Sequence, residues 1–150
     1  MTQVIEREQL VARELPEVFE FFSRARNLEV LTPPWLSFSV LTPEPIQMRP
    51  GTLIDYRLRL HGIPMRWRTL IETWDEHRSF VDRQLRGPYK LWHHTHTFAA
   101  VNGGTLVRDR VRYEIPLGPA GELARRLFVA RDLERVFAFR HAAVVRLLER

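Results

Sequence analysis

With 150 residues, 45% of them hydrophobic and 27% charged, the chain has material for one globular domain with a single core and needs no second. The absence of cysteine excludes disulfides, thiolate nucleophiles and cysteine-ligated zinc, and the apolar runs fall short of the roughly 20 residues that a membrane span requires. The net charge of +5 is almost wholly arginine, Lys90 being the single lysine; this bias reads as a habit of a GC-rich or heat-adapted host, so no nucleic-acid partner is expected.

The opening Met1 to Arg7 lacks a basic region followed by an apolar one, so no secretory leader is read and a cytoplasmic location is expected. Val4 to Arg13 is a first strand. Pro16 and Glu17 start a helix that places Val18, Phe19 and Phe22 on one side, and a second short helix from Ala25 to Leu31 ends before Pro33 and Pro34. From Trp35 the period changes to two. Leu36 to Leu41 is a strand, Pro43 to Gly51 a loop, and Thr52 to Leu60 a strand with Ile54, Tyr56, Leu58 and Leu60 inward. His61 and Gly62 turn the chain into Met65 to Trp74, with Met65, Trp67, Thr69 and Ile71 on one face and Arg66, Arg68 and Glu72 on the other.

Asp75 to Arg78 is the next turn, Phe80 to Leu85 the next strand, and Gly87-Pro88 leads to Leu91 to Ala100. Asn102-Gly103-Gly104 then marks a hairpin into Thr105 to Tyr113. Beyond Gly118 to Gly121 the pattern predicts one helix to Arg150, with Leu123, Leu127, Ala130, Phe137, Val144 and Leu148 in one apolar arc. At 1.5 Å per residue it is roughly 40 Å long, enough to cross a curved sheet. The expected fold is α+β: one domain, residues 1–150, with an antiparallel sheet of six to seven strands, two short helices after the first strand and a long C-terminal helix.

Strand parity puts Asp82, Gln84, Trp92, His94, His96 and Phe98 on one face of a hairpin, so a wall that would ordinarily be plain core carries acid, amide and imidazole. Asp109 shares inward parity with Val107, Val111 and Tyr113. A buried carboxylate needs a partner, and an Asp–His couple reads either as a general base or as a structural pair. The His94–His96 spacing is one that metal sites use, with Asp82, Glu134 and His141 as further ligand types, but inner-wall histidines more often make hydrogen bonds; no metal and no cofactor is assigned. Tyr56, Trp67, Trp92, Phe98 and Phe137 supply flat apolar walls. Arg140, at the edge of the helical arc, is read as reaching for water. Alternating arginines at 57 and 59, 66 and 68, and 108, 110 and 112 read as a solvated sheet exterior paired with Glu72 and Glu114.

The element order resembles the helix-grip architecture of START lipid-transfer domains, the birch-pollen allergen family, polyketide cyclases and dehydratases, and coenzyme Q-binding proteins. Gly62-Ile-Pro64 followed by Trp67, Phe80-Val-Asp-Arg-Gln84, Gly87-Pro-Tyr89, Trp92 to Phe98 and Phe137-Ala-Phe-Arg-His141 are similar to a bacterial branch of that START-like (SRPBCC) superfamily. The resemblance implies a cavity between sheet and C-terminal helix, and a lipid, isoprenoid or polyketide ligand. The expected function is therefore binding, transport or sensing of a small hydrophobic molecule, with peripheral membrane contact compatible with it. Trp67, Trp92, Phe98 and Phe137 would give apolar contact, and Asp82, Gln84, His94, His96 and His141 would anchor a polar end, with Tyr56, Asp109 and Tyr113 also lining the site. The alternative is a cyclase, dehydratase or hydrolase using His94 or His96 with Asp82 as acid or base, which requires the imidazoles to reach open pocket volume. Oligomeric state is not legible.

Overall fold

A computed structural model of the protein describes residues 1–149. Its strands are β1 (Gln3–Val11), β2 (Ser39–Val40), β3 (Leu53–Leu60), β4 (Ile63–Asp75), β5 (Ser79–Arg86), β6 (Leu91–Val101) and β7 (Gly104–Glu114). These described residues form one seven-stranded antiparallel sheet in the order β1-β7-β6-β5-β4-β3-β2. Every pair from β2 to β7 is consecutive in the chain, as successive hairpins impose, and β1 closes on β7. The β3–β4 turn shows the local cause: His61 and Gly62 take positive φ of 49° and 82°, the twist a two-residue hairpin loop requires.

Helix α1 (Leu15–Ser23) carries Pro16 in its first turn and buries Val18, Phe19 and Phe22 as expected; a 3-10 turn at Ala25–Asn27 runs into α2 (Leu28–Leu31). The strand expected at Leu36 to Leu41 shrinks to β2. Pro34–Leu36 forms a 3-10 turn and Ser37 is left-handed at φ 45°, which breaks the extended run before it can pair. The alternation of β4 is also interrupted: Ile71 pairs Asp82 and Thr73 pairs Val81, leaving Glu72 as the extra residue of a bulge. Parity changes there, and Trp74 comes inward against Phe19 and Phe80, at 5.3 and 5.0 Å between ring centroids.

The single C-terminal helix expected from the sequence is divided into α3 (Gly118–Ala124), a π-helical turn (Arg125–Val129) and α4 (Ala130–Leu148); its predicted last residue, Arg150, lies outside the described residues. The wider turn rotates everything before it relative to α4. Leu123 and Leu127, expected in the apolar arc, are therefore exposed, while Gly121 turns inward so close to Pro116 that a Cβ would lie 1.9 Å from its carbonyl oxygen. From α4 the inward series is Leu133, Phe137, Arg140, Val144 and Leu148. Val144 and Leu148 pack with Val11, Phe19, Phe80, Phe98 and Val107, whereas Leu133 and Phe137 pack with Val111 and Tyr113. The outer arginines Arg108 and Arg110 pair with Glu8 and Glu6 of β1, not with Glu114.

Candidate functional site

The β5–β6 ladder sets Asp82 opposite His94, and the β6–β7 ladder sets His96 opposite Asp109. The side chains pair on the diagonals instead. His96 Nε2 is 2.5 Å from Asp82 Oδ2, and His94 Nε2 is 2.7 Å from Asp109 Oδ1. An ionised carboxylate only accepts, so both Nε2 atoms carry the protons of these bonds. Each Nδ1 then faces the other carboxylate at longer range: His94 Nδ1 is 4.0 Å from Asp82, and His96 Nδ1 is 3.5 Å from Asp109. His96 Nδ1 is buried with no hydrogen-bond partner.

The two imidazoles stack with centroids 3.7 Å apart and planes inclined by 21°, and Phe80 covers the other face of His96 at 4.1 Å. Arg140 of α4 reaches Asp109 Oδ1 at 3.4 Å, with its guanidinium also over the Phe22 ring. Burial drives the His96 imidazole down to about 4, helped by neighbouring His94 and opposed by the Asp82 hydrogen bond. Burial pushes both carboxylates up, but for Asp82 the His96 hydrogen bond and the charges of His94 and Arg140 outweigh it. For Asp109 the Arg140 charge and the His94 hydrogen bond do so by a wide margin, and both acids stay below the ordinary carboxylate range.

A second constellation lies at the end of the sheet near the β5–β6 turn. Trp67 meets Trp92 and Tyr89 edge-on at 5.4 and 5.7 Å, Tyr89 lies 4.8 Å from Trp92, and Tyr113 lies 6.0 Å from Tyr89. Phe137 packs in the same apolar cluster as Tyr113, Tyr89 and Trp92, its ring 6.1 Å from His94. The Trp67 indole Nε1 is buried without a partner. Gln84, expected as a ligand anchor, braces the turn: its amide donates to the Tyr89 carbonyl at 2.8 Å and accepts from the Tyr89 N–H at 3.1 Å. Tyr56, opposite Trp67 on β3, is buried beside Phe38, and desolvation pushes its phenol far up.

Two expected site residues are elsewhere. Phe98 packs beneath α1 against Phe19 and Phe22, at 5.1 and 5.6 Å, away from the aromatic end. His141 is exposed on α4, its carbonyl accepting a bond from Gln9; the helical residue at the cluster is its neighbour Arg140, which turns to Asp109 and not, as expected, to water. The phase of Arg140, three residues after Phe137 and four before Val144, was the available signal for this. Tyr89 was also missed as part of the aromatic end, although it follows the Gly87-Pro88 turn.

One cleft opens among Lys90, Glu114, Ile115, Leu117, Pro119 and Arg125, and it shares Ile115 with the apolar cluster of Tyr113 and Trp92. Another lies between Ala12 to Pro16 and Ala100 to Gly104. Neither is lined by Asp82, His94, His96 or Asp109. No helix among the described residues is long and apolar enough to cross a membrane.

A curved antiparallel sheet gripping a C-terminal helix, with short helices after the first strand, defines the helix-grip class of α+β proteins. Residues 11–139 match the family of polyketide cyclase/dehydrase and lipid transport proteins, and the chain belongs to it. Among solved structures, the Zhui aromatase/cyclase of Streptomyces is 17% identical with a TM-score of 0.76, over 100% of this chain and 95% of that one. A START superfamily protein of Mycobacterium smegmatis is 15% identical with a TM-score of 0.68, over 96% and 98%. Ginseng major latex-like protein 151, from Panax ginseng, is 18% identical with a TM-score of 0.60, over 90% and 97%. Such likenesses show the fold. No curated protein matches the sequence.

Proposed function

We propose that the protein binds a small, mainly hydrophobic molecule bearing an oxygen acceptor, held beneath α4 at the aromatic end of the sheet. The observation that carries this reading is the Trp67 indole N–H, buried and unpaired among rings. A buried donor without a partner costs about 1–3 kcal/mol, which a ligand carbonyl or hydroxyl at that position would offset. Trp67, Trp92, Tyr113 and Phe137 would offer ring surface to the apolar body of the ligand. This shifts the expected polar anchor: Asp82, His94, His96 and Asp109 bond chiefly to one another, so they hold the wall against which the ligand lies. Family membership supports an apolar ligand, of lipid or polyketide type. The cysteine-free composition accords with action in the cytoplasm, with peripheral contact if the ligand is a lipid.

The cyclase or dehydratase alternative draws on the family alone. His94 and His96, 6% and 3% exposed, stack on one another with Phe80 over the outer face of His96, and their Nε2 protons are engaged by Asp109 and Asp82, so this reading takes second place. Native mass spectrometry of gently purified protein, followed by solvent extraction, tests the binding reading. A one-to-one noncovalent adduct of an oxygen-bearing apolar compound is expected. An apo mass, with no response of tryptophan fluorescence to isoprenoid, fatty-acyl or aromatic polyketide probes, would overturn it.

A further inference from the structure

We propose that the Asp82–His94–His96 cluster binds a divalent transition-metal ion of the zinc type, with Asp109 orienting both imidazoles from behind. One ligand atom from each of the three residues lies within 4.8 Å of the others, on the adjacent strands β5 and β6, before any ion draws them together. Around an ion with bonds of about 2.0–2.2 Å, tetrahedral ligand atoms sit roughly 3.3–3.6 Å apart, so the His94 Nδ1–Asp82 gap of 4.0 Å must close slightly and the His96 Nε2–Asp82 pair, now at 2.5 Å, must open.

The hydrogen bonds already set one ligand. Because Asp109 accepts the proton on His94 Nε2, the Nδ1 lone pair of His94 is free, and it faces Asp82 Oδ2 across 4.0 Å. A histidine whose far nitrogen donates to a carboxylate is the usual supporting arrangement behind a metal ligand. Arg140 in turn lies 3.4 Å from Asp109 Oδ1, a cation behind the carboxylate that orients the rings.

The second and independent observation is His96 Nδ1, buried, unpartnered, and 3.5 Å from Asp109 Oδ1. With the proton on Nε2, as the bond to Asp82 requires, a lone pair on Nδ1 points at a carboxylate, which is repulsive. An ion taking Nε2 and Asp82 together moves that proton to Nδ1, where Asp109 accepts it. Both imidazoles then bind metal through one nitrogen and Asp109 through the other. One ring must turn out of the present 21° stack, since an ion cannot lie in two nearly parallel ring planes at once.

Charge leads to the same place. With neutral imidazoles, two carboxylates and one guanidinium leave the cluster one positive charge short. A divalent ion exceeds that by one, so the fourth position takes an anion, hydroxide or a deprotonated ligand oxygen. Asp82, the least buried member with 21% of its side chain exposed, is the point of access.

The test uses the full chain after chelator dialysis, titrated with Co(II) alone and followed by visible absorption, then displaced by Zn(II). One equivalent is expected to give the intense bands of tetrahedral cobalt with nitrogen and oxygen ligands. Asp82→Asn or His94→Gln should abolish the bands. Asp109→Asn should weaken binding by about 10–100-fold, and His61→Gln, on the exposed His61–Asp132 pair, should leave it unchanged. Loss of fold in a variant is covered by wild-type protein, in which zinc must raise the melting temperature and move the His96 proton to Nδ1 in imidazole nitrogen NMR. A folded wild-type chain with no bands and no shift, or bands that survive Asp82→Asn and His94→Gln, would overturn the proposal.

Discussion

The polar cluster beneath β5–β7 and the aromatic end around Trp67 sit on the same sheet face, yet they solve burial in opposite ways. In the cluster, charged and polar atoms pair with one another: Asp82 with His96, Asp109 with His94 and Arg140. At the aromatic end, the rings of Trp92 and Tyr89 meet Trp67 edge-on, and its indole N–H has no partner. The first arrangement ties strands and helix together and leaves only His96 Nδ1 unpaired within it, whereas the second leaves the Trp67 indole N–H without a partner among rings. An inward polar residue is therefore informative about ligand recognition through what it leaves unpaired, more than through its presence on the wall.

The sharpest way to break this contrast is to unbalance the cluster. Asp109→Asn leaves the Arg140 guanidinium buried without its counter-charge, and chemical denaturation should show a loss of about 3–5 kcal/mol. Replacing both, Asp109→Leu with Arg140→Leu, should recover only part of that loss, because it removes the unpaired charge but leaves the His94 Nε2–H without its acceptor, at about 1–3 kcal/mol. A double variant as unstable as the single one would show that the pair contributes more than charge balance.

Acid offers a second probe. The folded-state pKa of His96 is depressed to about 4 from an unfolded value near 6.5, so the unfolded chain binds more protons between these values. Stability from this group is full above pH 6.5 and is lost as pH falls to about 4, by no more than about 3 kcal/mol. Asp82 and Asp109, both depressed, add losses only as pH falls below 3.8. Urea midpoints should therefore begin to drop near pH 6.5, and His96→Gln should flatten the profile down to pH 4. An unchanged slope in that variant would place the titration elsewhere.

The smallest effect belongs to the aromatic end. Trp67→Phe deletes the unpaired indole N–H while keeping a ring, so the ligand-free protein should be as stable as wild type or more stable by about 1 kcal/mol. The same variant should lose any co-purifying acceptor ligand. A destabilised variant would mean that the indole N–H already has a structural partner.

Much of the fold was legible because strand alternation and turn chemistry are local. His61-Gly62 could only be a tight turn, and the two-residue period placed Asp82, His94, His96 and Asp109 on one face whatever lay opposite. What alternation leaves open is which inward residue touches which. The hydrogen bonds of the cluster join residues 14 and 15 positions apart across strands, and Arg140 joins Asp109 over 31 positions. The diagonal pairing follows from strand register and ring stacking, which no run of neighbouring residues encodes.

The long helix marks the boundary most clearly. By itself the sequence determined that the segment after Pro116 is helical and amphipathic, since propensity and period are properties of consecutive residues. Only the tertiary structure decided that a π-helical turn at Arg125–Val129 would expose Leu123 and Leu127, seat Gly121 against Pro116, and let α4 present Arg140, not His141, to the cluster. A helical pattern fixes which residues share a face. The phase of that face relative to the sheet is set by packing across the core, where one extra residue in a turn re-aims everything before it.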